Sequence, residues 1–204
     1  MRTLVIAGTD TDVGKTVFAA GLAAATGRFY WKPVQSGNDD GGDSATALSL
    51  GVPADRILPE AYSLKTPVSP HRAAEIDRVT IEQERLKLPE LPCIVETAGG
   101  VLVPLTRDTL FIEIMAWWRA PVILVARTAL GTINHSLLSL EALRARDIPV
   151  LGIAFIGPAH QDSESTICDM GKVKRLGRLP SLEDLTAETL GSAFSASFDL
   201  DLFT

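Results

Sequence analysis

The residues best suited to chemistry lie near the start of the chain, where residues 8–16 read GTDTDVGKT. A short β-branched apolar run typical of a buried parallel strand precedes this segment, and a helical pattern follows it. In such a strand–loop–helix arrangement, backbone N–H groups and the positive end of the helix bind phosphates. We expect Lys15 to reach the outer phosphates and the Thr16 hydroxyl to contact a metal ion. The pattern predicts a nucleotide-binding loop.

The spacing of this loop differs from the strict signature G-x-x-x-x-G-K-[ST], because five residues separate Gly8 from Gly14. The alternative interpretation is a chance glycine turn ahead of a helix. The flanking strand and helix favour the phosphate-binding interpretation, since the mechanism requires both of them.

Three more polar, glycine-containing clusters follow predicted strands. They read KPVQSG at 32–37, VETAGG at 95–100 and LGTINH at 130–135. The carboxyl ends of parallel strands lie on one edge of a sheet, where open α/β sheets bind their ligands. We therefore expect all four clusters to converge on one crevice, which is a stronger argument than any single motif.

Lys32 ends an aromatic strand and is followed at once by proline. It is placed to act as a second cation facing phosphates or a developing negative charge. The alternative, equally weighted on this residue alone, is a solvated lysine at a strand end. Ser36 and Gly37 would offer a hydroxyl and a close backbone approach beside it.

Carboxylates accompany these cations. Glu96 ends an apolar strand and is placed to hold magnesium, directly or through water. Asp43 is a candidate second carboxylate, although a residue in the first turn of a helix explains it equally well. Asp10 and Asp12 add negative charge that is costly near a triphosphate unless it meets a metal or an amine. This charge indicates a co-substrate that carries amines.

The cluster at 130–135 opens a predicted helix. The free N–H groups after Gly131, together with Thr132 and Asn134, are suited to binding a carboxylate. His135 is a candidate base, but a capping or structural histidine is the favoured interpretation.

The composition describes one globular domain spanning residues 1–204, with 46% hydrophobic and 22% charged residues. A formal charge of −6 argues against nucleic acid as a partner.

Met1 leads almost directly into the first strand, and no apolar run is long enough for a bilayer. Cys93 and Cys168 lack paired spacing, and Cys93 is expected in the core. We expect a cytoplasmic protein with reduced thiols and no membrane partner.

Strand and helix patterns alternate along the chain, which indicates β-α-β units. The predicted strands are residues 4–7, 28–32, 92–96, 121–126 and 149–155. The predicted helices are residues 14–25, 44–50, 108–118 and 132–145. The proline-rich stretch 52–78 is expected to run over the surface, and the tail beyond Pro180 has helical pieces without a clear role. The fold class is α/β: a three-layer, mostly parallel central sheet flanked by helices, of the P-loop NTPase type.

Taken in this order, the motifs closely resemble those of the dethiobiotin synthetase family. The resemblance covers residues 1 to about 180 and rests on GTDTDVGKT, KPVQSG, the Asp43 segment, SPH at 69–71, VETAGG and LGTINH. The five-residue gap in the first loop is itself the family's form. The resemblance implies an ATP-dependent, Mg2+-requiring ligase acting on diaminopelargonate and CO2 to give dethiobiotin, ADP and phosphate. The implied route passes through a carbamate and a carbamic-phosphoric anhydride, in a homodimer.

The resemblance also assigns roles to individual residues. The catalytic set is Lys15, Lys32 and Thr11, and the metal set is Thr16, Asp43 and Glu96. The nucleotide set is Asp12, Val13, Gly14, Lys15, Thr16, Val17, Glu96, Gly99, Gly100, Ile156, Gly157, Leu179 and Pro180. The substrate set is Thr11, Lys32, Ser36, Leu130, Gly131, Thr132, Ile133 and Asn134, with the Gly131–Asn134 loop expected from the second subunit to hold the substrate carboxylate.

Three positions depart from the family pattern. Asp12 stands where Glu is frequent, Thr97 replaces a usual glycine, and Ile156 replaces an Asn that reads the adenine base. Because the Ile156 side chain forms no hydrogen bond, we predict weak discrimination between ATP and other triphosphates.

Three other protein classes share parts of this pattern. A switch ATPase of the ParA/MinD kind has a signature lysine four residues before the last glycine of the loop, where this chain has Asp10. A related amide-forming synthetase needs an ammonia source, for which 204 residues leave no room. A non-catalytic nucleotide-binding module is disfavoured by the retained Lys15, Thr16, Lys32 and Glu96.

Overall fold

The computed structural model describes residues 2–38 and 41–203. Within them the chain forms nine strands and seven α-helices. The strands are β1 (Leu4–Gly8), β2 (Phe29–Trp31), β3 (Val34–Ser36), β4 (Ile57–Leu58), β5 (Tyr62–Leu64), β6 (Cys93–Gly100), β7 (Val122–Arg127), β8 (Val150–Ile156) and β9 (Arg175–Leu179). The helices are α1 (Lys15–Thr26), α2 (Gly42–Ser49), α3 (Pro70–Asp77), α4 (Phe111–Trp118), α5 (Thr132–Arg144), α6 (Gln161–Gly171) and α7 (Ala187–Ser197).

Seven strands form one sheet in the order β4-β2-β6-β1-β7-β8-β9, and each ladder between neighbouring strands is parallel. Helices α1, α2 and α7 pack on one face of the sheet, and helices α3 to α6 pack on the other. This arrangement confirms the predicted three-layer α/β fold.

Strand β1 lies at the centre of the sheet, between β6 and β7. All five of its residues are buried, as expected for an apolar run covered on both faces. In the register between β1 and β6, Ile6 pairs with Glu96 and Gly8 with Gly100. The phosphate loop after β1 therefore emerges directly beside Glu96.

Helix α1 is rich in small residues and packs tightly between the sheet and α7. A side chain at Gly21 would lie 2.5 Å from the Phe194 ring, so glycine permits this close approach. The rings of Phe18, Phe194, Phe198 and Phe203 form one aromatic cluster. The helical tail beyond Pro180 thus has a structural role that its sequence pattern did not reveal: it covers α1.

Residues 52–78 are mostly exposed or half-buried, as expected, but they form more regular structure than their sequence indicated. This stretch contains β4, β5 and α3. In β5, Tyr62 and Leu64 are buried and Ser63 between them is exposed, which is the alternation of a half-buried strand. Strand β5 pairs in parallel with β3, so this segment supports the KPVQSG cluster.

Cys93 is fully buried, which confirms its predicted place in the core. Of the two neighbouring tryptophans on α4, Trp118 packs against Trp31 and Phe111, whereas Trp117 is 45% exposed. No helix in the described part of the chain combines the length and apolar character that crossing a membrane requires.

Candidate active site

A cavity of about 670 Å³ opens at the carboxyl edge of the sheet. Three of the four predicted clusters contribute to its walls, and residues 67–70 of the stretch before α3 close one side. The predicted site residues that line it are Thr11, Asp12, Gly14, Lys15, Thr16, Val17, Lys32, Ser36, Asp43, Glu96 and Gly99. The expected convergence therefore exists within one chain for the clusters after β1, β2 and β6.

The phosphate loop is held in a conformation that suits anion binding. Asp12 and Gly14 have positive φ angles of 55° and 90°, and the first turn of α1 has no side-chain cap. The N–H groups that open α1 are therefore available to phosphate oxygens. Lys15 lies back over the loop, with Nζ donating to the Asp10 carbonyl at 2.8 Å.

Glu96 is the buried centre of the site, with only 1% of its surface exposed. Its Oε1 atom accepts hydrogen bonds from Thr16 Oγ1 at 2.7 Å and from Lys32 Nζ at 3.0 Å. Its Oε2 atom accepts a hydrogen bond from the Tyr30 hydroxyl at 2.6 Å. Both carboxylate oxygens are thus satisfied by three donors, one on α1, one on β2 and one directly after β2.

Lys32 joins the two predicted carboxylates. Its Nζ atom lies 2.5 Å from Asp43 Oδ2 and also donates to the Thr97 carbonyl at 3.2 Å. Burial alone lowers the pKa of Lys32, but the adjacent Glu96 and Asp43 charges outweigh it and raise the pKa above its ordinary value. Lys32 is 4% exposed, which excludes the alternative of a solvated lysine at a strand end.

The pKa of Lys15 is shifted in the opposite direction from that of Lys32. Burial and the nearby Lys32 charge lower its pKa to about 8. Its described polar contact is a backbone carbonyl rather than a carboxylate, so its charge is poorly compensated. Binding of an anion such as phosphate would therefore stabilise the charged form of Lys15.

The residues predicted to bind metal fit a magnesium ion that is shared with phosphates. Thr16, Asp43 and Glu96 supply hard oxygen donors, and the Lys32 ammonium between the two carboxylates shows that they stabilise a cation there. Across residues 2–38 and 41–203, no group of three or more His, Cys, Asp or Glu side chains is arranged to hold a metal. Mg2+ is usually bound by one or two carboxylates, with substrate phosphates and water completing its shell.

The sequence did not identify Gln35, which positions Asp43. Its Oε1 atom accepts from the Asp43 backbone N–H at 3.0 Å, and its Nε2 atom donates to the carbonyls of Ser36 and Gly37. Asp43 also lies in the first turn of α2, as the helix interpretation predicts, and it lines the cavity. The Ser36 hydroxyl is buried at the cavity wall and has no hydrogen-bond partner among the described residues, which leaves it available to a ligand.

Tyr30 is the second residue that sequence reasoning missed. A usable signal was its spacing, because residues two apart in a strand share a face. Tyr30 and Lys32 are two apart, and both contact Glu96.

A second cavity, of about 460 Å³, lies on the other side of the phosphate loop. The predicted nucleotide residues Asp12, Val13, Gly14, Ile156 and Gly157 line it, together with Arg127 and Thr128. The loop therefore borders two compartments, of which the first holds Lys15, Lys32 and the two carboxylates Asp43 and Glu96.

The polar backbone groups beside the second cavity already have partners. The Gly157 N–H donates to the Leu179 carbonyl at 2.9 Å, and the Gly157 carbonyl accepts from Arg178 at 2.8 Å. The Ile156 carbonyl accepts from the Thr128 N–H at 3.0 Å. Leu179 is 1% exposed, so it contributes to this wall through its backbone hydrogen bond to Gly157.

Several other predicted residues line neither cavity. Gly100 lies beside the phosphate loop, where a side chain would be 3.4 Å from the Thr9 carbonyl, and Pro180 is exposed. Residues 130–134, at the start of α5, line neither cavity. Leu130 is fully exposed, and Gly131 has a φ of 92°. This chain alone therefore does not bring the LGTINH cluster to the charged groups.

Thr97, where a glycine was expected, fits without disturbance. It is 1% exposed, and its hydroxyl donates to the Ile6 carbonyl at 3.2 Å. This hydrogen bond ties β6 to β1 next to Glu96.

The chain is similar to known proteins over nearly its whole length. Residues 2–189 match the family model described as an AAA domain. The ATP-dependent dethiobiotin synthetase BioD of Nitrobacter hamburgensis is 59% identical, with 98% of this chain and 96% of that protein covered. The protein of the same name from Novosphingobium aromaticivorans is 55% identical, with both chains covered completely.

Solved structures show the same fold at much lower sequence identity. The septum site-determining protein MinD of Pyrococcus horikoshii, complexed with Mg-ADP, superposes with a TM-score of 0.57 at 16% identity, covering 98% of this chain and 93% of that one. The cell division ATPase MinD of Pyrococcus furiosus gives 0.55 at 12% identity, covering 96% and 98%. At these identities the likeness concerns the P-loop fold alone.

Proposed function

The chain belongs to the family of ATP-dependent dethiobiotin synthetases, and we propose that it closes the ureido ring of dethiobiotin in the cavity beside its phosphate loop. It is an ATP-dependent ligase of biotin biosynthesis. In the proposed reaction, diaminopelargonate, CO2 and ATP give dethiobiotin, ADP and phosphate.

The observation that carries the location of this reaction is the convergence of Lys15, Lys32, Asp43 and Glu96 on one cavity. Two buried cations and two carboxylates suit a reaction in which an anionic nucleophile attacks a phosphoryl group. The nucleophile belongs to the substrate, so the enzyme needs positioning and charge stabilisation rather than a nucleophilic side chain.

The proposed sequence of bonds is as follows. One amine of the diamine attacks CO2 and loses a proton, which gives a carbamate. A carbamate oxygen attacks the γ-phosphorus of ATP and ADP leaves, which gives the mixed anhydride. The second amine then attacks the carbamoyl carbon, phosphate leaves, and the ring closes with loss of a proton.

Each step uses residues of the cavity. Lys15 stabilises the outer phosphates through its ammonium group, and the N–H groups opening α1 bind phosphate oxygens. Lys32 neutralises the carbamate and the transferring phosphoryl group. Thr11 and the unpartnered Ser36 hydroxyl contact the carbamate or the diamine.

We propose that Thr16, Asp43 and Glu96 hold Mg2+ together with the phosphates of ATP. Bound magnesium supplies charge neutralisation and orientation of the phosphates. The hard oxygen donors and the cation already stabilised between Asp43 and Glu96 support this assignment.

We propose that the nucleoside lies in the second cavity, against Ile156 and Gly157. The phosphate loop borders both cavities, so a triphosphate bound along it reaches from one to the other. Val13 and Val17 flank this path, while Gly99 and Gly100 place the end of β6 close to the loop. Leu179 is the last residue of strand β9, which lies beside β8 in the sheet, and Pro180 comes next in the chain.

The active form is proposed to be a homodimer. Leu130 is fully exposed and Leu138 on α5 is 57% exposed, which supports an interface along this helix. The N-terminal segment of α5, including Thr132, Ile133 and Asn134, would then hold the substrate carboxylate in the site of the second subunit.

We further propose that the protein is one domain, spanning residues 1–204, and that it works in the cytoplasm. The C-terminal aromatic cluster packs on α1, which supports a single folding unit. Both cysteines are free thiols, as is usual in a reducing compartment.

The experiment that tests this function measures phosphate release from ATP, Mg2+ and bicarbonate, with and without diaminopelargonate. Mass spectrometry of the same mixtures searches for dethiobiotin. Phosphate release that depends on the diamine and matches product formed supports the proposed reaction. Release that ignores the diamine would favour the switch-ATPase interpretation instead.

A further inference from the structure

Tyr30 is a buried polar group that the proposed reaction does not use. It lies on β2 with no exposed surface, among the side chains that pack against α1. Its hydroxyl donates to Glu96 Oε2 at 2.6 Å, on the side of the carboxylate away from Lys32 and Thr16. The hydroxyl therefore acts on the site through one oxygen of one carboxylate.

The two oxygens of Glu96 consequently have different surroundings. Oε1 faces Thr16 and Lys32, the groups nearest to the phosphate loop and Asp43. Oε2 faces the protein core and Tyr30. Short hydrogen bonds to a carboxylate fix its rotation, because any turn of the group breaks them.

We propose that Tyr30 is a positioning residue that holds Oε2 of Glu96, so that the carboxylate presents Oε1 alone to the bound cation. This inference rests on the proposed function, since it takes Glu96 as a ligand of Mg2+. Residues behind metal ligands orient them in this way, and removing such a residue typically weakens metal binding about 10- to 100-fold.

The test is the affinity of Mn2+, as a spectroscopic substitute for Mg2+, for the complex of the full chain with ADP. Free Mn2+ is measured by electron paramagnetic resonance. We expect Tyr30→Phe to weaken Mn2+ binding about tenfold or more. Its affinity for ADP in EDTA should stay unchanged, because Tyr30 makes no described contact with the phosphate loop, and this measurement also establishes that the variant is folded.

The chain contains a matched control. Tyr62 is 3% exposed, and its hydroxyl accepts from the Glu82 backbone N–H at 2.7 Å. Tyr62→Phe therefore removes a tyrosine hydroxyl in the same way, at a partly buried hydrogen bond whose partner, Glu82, does not line the cavity. If both variants weaken Mn2+ binding equally, the effect is general loosening and the proposal is overturned.

A Glu96→Gln variant separates this inference from the proposed function. If Glu96→Gln leaves Mn2+ binding intact, the assignment of Glu96 to the metal is wrong, and the role of Tyr30 fails with it. If Glu96→Gln weakens binding and Tyr30→Phe does not, only the role of Tyr30 is overturned. In the Glu96→Gln background, Tyr30→Phe should add little further loss.

A second measurement needs no substitution at Tyr30. The chain has only two tyrosines, so protein labelled with 3-fluorotyrosine gives two fluorine resonances, which Tyr62→Phe assigns. Adding Mg2+ to the ADP complex should shift the Tyr30 resonance and leave that of Tyr62 in place. A Tyr30 resonance that does not respond to Mg2+ contradicts the proposal.

Discussion

The Nζ atom of Lys32 lies 3.0 Å from Oε1 of Glu96, and both side chains are almost completely buried. The same ammonium lies 2.5 Å from Asp43. One ammonium group of the protein thus balances part of the negative charge of its two candidate metal-binding carboxylates. A bound metal and Lys32 would both interact with these two carboxylates. The same ion pairs therefore affect the stability of the fold and the chemistry of the site.

The first prediction concerns this stability. Lys32→Met leaves the buried Glu96 without its cation, so we expect the free energy of unfolding in EDTA to fall by about 3 kcal/mol. Millimolar Mg2+ should restore part of this loss in the variant and change the wild type little. Urea denaturation with and without Mg2+ measures both effects.

Lys15→Met is the matched control for this experiment. Lys15 is also buried, but its pKa is lowered to about 8, which means that folding disfavours its charge. Its removal should therefore leave the stability unchanged or raise it. Equal destabilisation by the two substitutions would show that Lys32 has no special role as an internal cation.

The second prediction separates the two lysines by function. Lys15→Ala should abolish turnover together with nucleotide binding, because Lys15 lies on the phosphate loop. Lys32→Ala should lower turnover more than nucleotide affinity, because its partners are the carboxylates of the reaction cavity. Calorimetric titration with ADP beside steady-state kinetics tests this, and an equal loss of affinity in both variants would reject the division of roles.

The third prediction is a pH dependence of ADP binding in EDTA. Between about pH 7, where the terminal phosphate of ADP is ionised, and pH 8, Lys15 is mostly protonated in the free protein, so the affinity should change little with pH. Above pH 8, the free protein loses this proton and must take it up again to bind phosphate. The affinity should then fall, approaching about tenfold per pH unit.

Lys15→Arg provides the control for this titration. A guanidinium group stays charged throughout the range, so the pH dependence above pH 8 should disappear even if the affinity is lower. A wild-type affinity that is constant up to pH 10 would contradict the lowered pKa of Lys15.

The sequence predicted the parts of the site that depend on strand order. Lys15 and Lys32 follow parallel strands, and parallel strands end at one sheet edge, so their convergence could be inferred from the chain alone. Glu96 was expected to end its strand, but β6 continues to Gly100, so Glu96 lies within the strand at the register position of Ile6. The expected fold and the three layers are confirmed for the same reason. Family and activity, inferred from the motifs, are confirmed by the similarity to known synthetases.

What the sequence did not predict depends on side-chain packing between distant segments. No sequence motif indicates the contact between Gln35 and Asp43. The hydrogen bond between Tyr30 and Glu96 joins residues on separate strands. Strand β5 was missed because it has only three residues, too few for a periodic pattern to stand out. The tertiary context, rather than local preference, determines these features.

The fourth prediction concerns the choice of nucleotide base. The Ile156 side chain offers no hydrogen bond, and the Gly157 N–H and carbonyl already have protein partners. Because one missing neutral hydrogen bond is worth about 1 kcal/mol, kcat/KM values for ATP, GTP and CTP should lie within about tenfold. Competition assays at equal Mg2+ measure the ratios, and a large preference for ATP would contradict the prediction.

An Ile156→Asn variant sharpens this test. It adds an amide at the wall of the second cavity and should raise the preference for ATP. Ile156→Val keeps the apolar character of the wall and should leave the ratios between bases unchanged. If Ile156→Asn also leaves them unchanged, the nucleoside does not lie against this residue.

The fifth prediction tests whether two subunits share each active site. Lys15→Ala disables the phosphate loop, whereas Asn134→Ala alters the start of α5, which lines neither cavity of its own chain. If this helix start serves the second subunit, co-expression of the two inactive variants creates mixed dimers with one intact site. Statistical pairing then restores about a quarter of wild-type activity.

Leu138→Asp, introduced into both chains, should abolish this recovery by weakening the interface, and sedimentation should then detect monomers. Sites contained within single chains would instead give no recovery in any mixture.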